Sequence, residues 1–272
     1  MPQIINTNVM SINSQRALNM SQKSMATSLE RLSSGLRINR AADDAAGLAV
    51  SETLTLQVRG LGQAIRNAND GVSLAQTAEG AASELSNILQ RMNELAIQSA
   101  NGTYTDDDRA QLQLEFAALQ SELGDISAKA NFNGTLLLND ATTNITLQVG
   151  DKEGDTITIT GADLTAATLG VDGDTIATSG GATTAIGTIE LAIDKINTVR
   201  ATFGAVQNRL ESKIRNLENV VENTSASRSR IRDADFAQET ANLTRTQILQ
   251  QAGVAMLAQA NQLPSNALSL LG

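Results

Sequence analysis

Proline is confined to positions 2 and 264 of this 272-residue chain, and no other feature constrains its fold as strongly. Proline removes a main-chain donor and breaks helix interiors, so everything between those positions is free to run in long helices. The apolar residues use that freedom. Leu112, Phe116, Leu119, Leu123 and Ile126 repeat at alternating steps of four and three. A longer seam runs through Ile189, Ile193, Ile196, Arg200, Phe203, Gln207, Leu210, Ile214, Leu217 and Val221, and eight of its ten positions are apolar. The Asn101-Gly102 turn lets neighbouring helices fold back on each other, so the seams read as intramolecular core.

The two ends add a second constraint. Residues 1–15 and residues 246–272 carry no charged side chain. A compact enzyme keeps its site inside the chain and lets its termini fray. Here both termini are amphipathic helical segments whose apolar stripes want protein partners. Along the second, Ala252, Met256, Ala260, Leu263, Ala267 and Leu270 fall on one side. The run TQILQQAGVAMLAQANQLPSNALSLLG is too rich in Gln and Asn for a membrane span. MPQIINTNVMSINSQ has neither the basic nor the continuous apolar region of a secretory signal peptide.

Composition narrows the function classes. His and Cys are both absent, which removes Ser-His-Asp and Cys-His catalysis, disulfides and Cys-ligated zinc. With no Trp, one Tyr and four Phe, Ala, Leu, Ile and Val must fill the core, which suits thin helical bundles. Residues 1–40 carry five basic side chains and one acidic, a net of +4. Residues 101–190 carry 3 basic and 14 acidic, a net of −11. No basic face with aromatic stacking platforms is evident, so nucleic acid is not an expected partner. The acidic middle reads as solvent-facing surface that keeps a crowded assembly soluble.

The expected elements follow from these patterns. Helices are predicted over 5–35, with Val9, Ile12 and Leu29 among the apolar positions, and over 44–100. A third starts at Thr105, where the Asp106–Asp108 run suits a helix N-terminus. Leu136–Leu138, Ile145–Val149 and Thr156–Thr160 are β-prone, the last two forming a hairpin across Gly150–Asp155. Residues 161–188 read as a loose Gly/Thr/Ala connector, followed by helices over 188–225 and from 233 onward. The class is mainly α: an elongated antiparallel bundle or coiled coil from both halves, with a small β-hairpin region in the middle.

No motif carries chemistry. Gly60-Leu-Gly62 lacks the third glycine and the preceding strand of a dinucleotide loop. Asp151-Lys-Glu-Gly-Asp155 and Asp172-Gly-Asp174 do not fit a twelve-residue calcium loop and read as turns. Asp43-Asp44 reads as a turn or helix cap. The glycosylation triplets at Asn101, Asn133, Asn144, Asn223 and Asn242 are common by chance. No catalytic residue, metal ligand or cofactor is expected.

Two blocks go beyond patterning: LERLSSGLRINRAADDAAGLAVSE at 29–52, and ASRSRIRDADFAQETANLTRTQILQQAGVAMLAQANQLPSNALSLLG at 226–272. Together they resemble bacterial flagellin. The likeness extends through IRNANDGVSLAQTAEGA at 65–81, LQRMNELAIQSANGT at 89–103, NFNGTLLL at 131–138 and FGAVQNRLE at 203–211. The resemblance implies a minimal flagellin with a very short variable middle. Terminal helices 1–40 and 233–272 would pair as an inner filament core. Residues 41–232 would form a rod-like outer core, with a hairpin near 131–160 and a short variable connector at 140–188. It implies a structural, non-enzymatic subunit, exported unfolded by the flagellar type III route into an extracellular filament for swimming. Its implied partners are itself, an export chaperone on the C-terminal helix, filament cap and junction proteins, and the flagellin-sensing Toll-like receptor of animals. The polymerisation positions are Val9, Ile12, Leu29, Leu249, Met256, Leu263 and Leu270. The receptor patch matches Gln90, Arg91, Glu94, Leu95 and Glu115. The alternative within the same superfamily is a hook-filament junction protein.

Overall fold

The fold is taken from a computed structural model that describes residues 7–269, with side chains described as far as residue 262. Six α-helices and four short strands follow in the order α1 (Val9–Ser34), α2 (Ala45–Ala100), α3 (Asp106–Lys129), β1 (Asn131–Phe132), β2 (Thr135–Leu136), β3 (Asn144–Gln148), β4 (Thr156–Thr160), α4 (Ala166–Leu169), α5 (Ser179–Arg232) and α6 (Phe236–Ser269). They fall into two compact units, one of Met1–Leu56 with Asn223–Gly272 and one of Gln57–Glu222.

In the first unit α1 and α6 run antiparallel. Asn8 caps α1 by accepting from the Ser11 N–H, and Gly35 ends it in the left-handed region at φ 72°, donating to the Arg31 carbonyl. Three cross-helix contacts fix the register. Asn8 Nδ2 donates to the Ala260 carbonyl at 2.7 Å, Ser21 Oγ donates to the Thr246 carbonyl at 3.1 Å, and Arg31 meets Glu239 at 3.7 Å. The side chains that these helices bury are small or polar: Ser11 and Ser28 on α1, and Glu239, Thr246 and Ala260 on α6. The most buried points of the pair are thus small or polar, and Leu18, Met25, Leu32, Leu243 and Leu257 are half-buried.

The segment between α1 and α2 is a clasp onto the end of α5. The Arg37 N–H donates to the Arg232 carbonyl at 2.7 Å, and the Ala234 N–H donates to the Gly35 carbonyl at 2.9 Å. Ile38 is buried beneath it. Asp43 Oδ2 accepts from the Asn39 and Arg40 N–H groups, and Asp44 Oδ1 accepts from the Gly47 N–H at the start of α2. The Asp43-Asp44 pair is thus a turn and a cap, as its position predicts.

In the second unit α2 buries Ala68, Ala75, Ala78, Ala82, Leu85, Leu89, Met92 and Ala96, at helical spacing. Phe116 and Leu123 of α3 and Ile189, Ile196, Phe203 and Leu210 of α5 share its core. Ile189, Ile196, Phe203, Leu210 and Leu217 of α5 are buried at every seventh position, with Ala185, Ala192 and Val206 buried between them. β3 and β4 pair antiparallel, Asn144 opposite Thr160 and Gln148 opposite Thr156. Ile157 and Ile159 point into the core while Thr156, Thr158 and Thr160, alternating with them, face out. The hairpin is fastened to α2 by Asn67 Nδ2, which donates to the Gln148 carbonyl at 2.9 Å. Gly71 explains itself here: a Cβ at that position would lie 2.2 Å from Leu147 Cδ1. Its missing side chain admits the hairpin, at a helix-propensity cost of ~1 kcal/mol.

Residues 161–188 correct the expectation of a loose connector. Leu164, Leu169, Val171 and Ile176 are buried, α4 forms one turn within the segment, and α5 already begins at Ser179. Side chains of neighbouring helices hold its main chain: Gln113 Oε1 accepts from the Ile176 N–H at 2.6 Å, and Gln120 Nε2 donates to the Val171 carbonyl. Scattered apolar residues among Thr, Gly and Asp give no period, yet Leu164, Leu169, Val171 and Ile176 all join the main core cluster. The strand expected at Leu136–Leu138 also shifts, since β2 pairs only through Thr135–Leu136 while Leu137 and Leu138 turn into the core.

Candidate functional site

Although small or polar residues occupy the most buried points of the α1–α6 pair, several large apolar side chains remain exposed. Val9, Ile12, Leu29, Leu249 and Met256 keep 49–65% of their surface exposed. Leu263 belongs to α6, but its side chain, and Leu270 altogether, lie outside the described residues. Ten of the sixteen exposed large apolar residues among the described residues lie on these two helices. A groove of about 860 Å³ runs between them, lined by Met10, Met20, Leu249 and Met256 beside Leu18 and Ala260.

The second set of residues lies on the hairpin of α2 and α3. Arg91 Nε donates to Glu115 Oε1 at 2.9 Å and Arg91 Nη1 donates to Glu94 Oε2 at 2.8 Å. Gln90 is exposed beside them and donates to Ser86 Oγ at 3.3 Å. Leu95 requires a correction. It is 1% exposed and belongs to the core, so it offers no apolar surface beside Arg91. Helical spacing places it near Arg91 and Glu94, but α2 is covered on more than one flank, and the widened buried sector takes in both Leu95 and Ala96.

Sequence reasoning missed Arg109. It is 6% exposed, and its guanidinium donates to the carbonyls of Ser99 at 2.8 Å, Tyr104 at 2.6 Å and Asn101 at 2.9 Å. It therefore satisfies main-chain acceptors where α2 ends. One signal was available: an arginine in the first turn of a helix opposes the helix dipole, so something else must hold it there.

Several carboxylates are tuned by local hydrogen bonds. The hydroxyl and N–H of Thr105 hold Asp108 below the usual carboxylate value of 3.8 and close a capping box on α3. The N–H groups of Arg40 and Asn39 lower Asp43, and the Thr168 hydroxyl lowers Asp163. Each of these folded-state values lies below the unfolded one. The stabilisation is therefore present above the unfolded pKa and is lost as pH falls through the folded pKa. No side chain in this chain has an ordinary pKa between about 5 and 8, because His is absent. Helicity followed by circular dichroism is expected to stay level from about pH 8 to 5 and to decline only below about pH 4. A sharp step near pH 6.5 would contradict carboxylate control.

Among the described residues no helix is long and apolar enough to cross a membrane, and no group of three or more His, Cys, Asp or Glu could hold a metal ion. The arrangement is that of a structural subunit: two helices tied by a narrow seam, with their large apolar residues unpartnered. Residues 5–143 match the bacterial flagellin N-terminal helical region, and residues 186–271 match the bacterial flagellin C-terminal helical region. The chain belongs to the bacterial flagellin family, a family of structural proteins of the flagellar filament. A flagellin of Halalkalibacterium halodurans is 47% identical over 270 residues, covering 98% of this chain and 99% of that one. The flagellar filament 31.3 kDa core protein of Treponema maltophilum is 43% identical over 284 residues, with the same coverage. The crystal structure of Bacillus cereus flagellin, 39% identical, superposes with a TM-score of 0.51 over 56% of this chain and 88% of that one.

Proposed function

We propose that this chain is the subunit that polymerises into an extracellular flagellar filament for swimming motility. The observation that supports it is the outward-facing apolar surface of a helix pair that is already internally tied. A filament needs heterologous contacts that do not close, one patch meeting a different patch on the next copy. In this reading residues 1–40 and 233–272 form the inner core, and 41–232 form the outer core with its hairpin near 131–160 and connector at 140–188. Magnitude favours many weak contacts over one site. Burying each half-exposed side chain stabilises by about 1 kcal/mol. Ten of them give on the order of 10 kcal/mol, against an association cost of about 4–15 kcal/mol. A loss of part of that surface therefore decides whether the polymer forms. The hook-filament junction reading predicts the same unpartnered helices but a short, self-limited assembly. The test is whether the purified chain polymerises, and whether it does so without limit.

Export follows the flagellar type III route in this proposal, with cap and junction proteins meeting the filament ends. A cytoplasmic chaperone covers the exposed apolar residues of α6, where Leu249 and Met256, seven positions apart on one face with Ile248 alongside, suit a helix-in-groove partner. The full chain is expected to co-purify with the cognate chaperone, and a chain ending at residue 232 is not. Equal capture of both would contradict this assignment.

Gln90, Arg91, Glu94 and Glu115 are proposed as the surface that the flagellin-sensing Toll-like receptor meets on the free monomer. Leu95 drops out of that surface as an apolar contact, which leaves Arg91 as the anchor. The ion pairs of Arg91 with Glu94 and Glu115 are half-exposed and contribute little to stability. Arg91→Ala is expected to lower signalling potency about tenfold while leaving thermal unfolding unchanged. Unchanged signalling by that variant, or equal potency of filament and monomer, would sink the assignment.

A further inference from the structure

Methionine is the only source of sulfur in this chain, because cysteine is absent, and the six methionines are unevenly placed. Met92 is fully buried in the core of the second unit. Met10, Met20 and Met256 are 58%, 59% and 60% exposed, and all three line the groove between α1 and α6. Of the hydroxyls that line it, Ser21 donates to the Thr246 carbonyl and Thr246 donates to the Asn242 and Leu243 carbonyls, while Asn13, Ser14, Ser24 and Gln259 complete its polar lining. A sulfoxide created in this groove would put a polar group among Leu18, Leu249 and Ala252, where the native thioether is apolar.

Thioether oxidation follows exposure. With hydrogen peroxide, the Sδ lone pair forms a bond to one peroxide oxygen, the O–O bond breaks, and the proton on the transferred oxygen passes to the departing hydroxide, which leaves as water. Sulfur gives up two electrons and the peroxide gains them. The product sulfoxide is polar and strongly hydrated, so covering it with the apolar surface of another copy is costly. We propose that Met10, Met20 and Met256 form a reversible oxidation site through which a peroxide blocks polymerisation of the free subunit while sparing the assembled filament. This rests on the filament reading above, which makes the groove a surface covered by a second copy of the chain. Reversal is by a thiol-dependent methionine sulfoxide reductase, one enzyme for each sulfoxide epimer.

The experiment treats the full-length monomer and the preformed filament with hydrogen peroxide and maps sulfoxide at each methionine by peptide mass spectrometry. In the monomer, Met10, Met20 and Met256 are expected to oxidise about tenfold faster than Met92 or more, and in the filament that excess should vanish. Polymerisation of the oxidised monomer should be lost and should return after treatment with both reductases and dithiothreitol. The triple variant Met10→Leu, Met20→Leu, Met256→Leu conserves volume and should assemble before and after peroxide alike. If that variant does not assemble at all, reductase rescue of the native chain still decides the matter. Oxidised native monomer that polymerises like untreated monomer overturns the inference, as does loss of assembly that the reductases do not restore. Failure of the untreated chain to polymerise would instead overturn the filament reading itself.

Discussion

A chain lacking residues 1–35, or one lacking residues 233–272, is expected to stay a monomer under conditions in which the full chain polymerises. Either deletion removes one side of the α1–α6 seam, with its Asn8–Ala260, Ser21–Thr246 and Arg31–Glu239 contacts. It also removes half of the ten exposed apolar side chains, a loss on the order of 5 kcal/mol of burial per subunit. That loss is comparable to the whole net free energy of a modest association, so the expected effect is abolition and not attenuation. The main core cluster is built entirely from residues of the second unit, which should still unfold cooperatively in both truncated chains. Sedimentation and thermal unfolding read the two outcomes separately. Polymers of normal length from either truncated chain would defeat the account.

The second large effect is local. Arg109→Ala removes a charged donor from three main-chain carbonyls, those of Ser99, Asn101 and Tyr104, at the end of α2. Hydrogen bonds to charged groups are worth about 1.5–3 kcal/mol each, and water can re-satisfy the more exposed acceptors. The expected destabilisation of the second unit is therefore about 2–4 kcal/mol, measured by denaturant unfolding. Arg109→Lys should recover little of it, because an ammonium cannot reproduce the planar fork that spans three acceptors. A change within experimental error for Arg109→Ala would show that the turn is held by its other contacts.

The parts of this fold that were legible in the sequence are those where burial is one-sided and periodic. The α5 seam, the Phe116 and Leu123 positions of α3, and the β3–β4 hairpin all follow from spacing that a buried face imposes. The start of α3 was legible for a different reason, because Thr105 and Asp108 are capping residues with a fixed geometry. The α1–α6 seam was not legible, since Ser11, Ser28 and Thr246 carry no hydropathy signal and act by being small. The large apolar residues Leu249 and Met256 lie instead along the groove beside that seam. Leu95 misled because a helix wheel does not say how many neighbours cover it. The connector at 161–188 hid its structure in isolated residues such as Leu164 and Val171, whose places are set by other elements. The Gly71 gap is readable only once Leu147 is seen beside it.

Electron microscopy of the purified full-length chain, brought to polymerising conditions, tests the central claim most directly. The account predicts filaments that lengthen with time and protein concentration and have no preferred length. A population that remains monomeric, or that stops at short closed assemblies as a junction protein would, contradicts it.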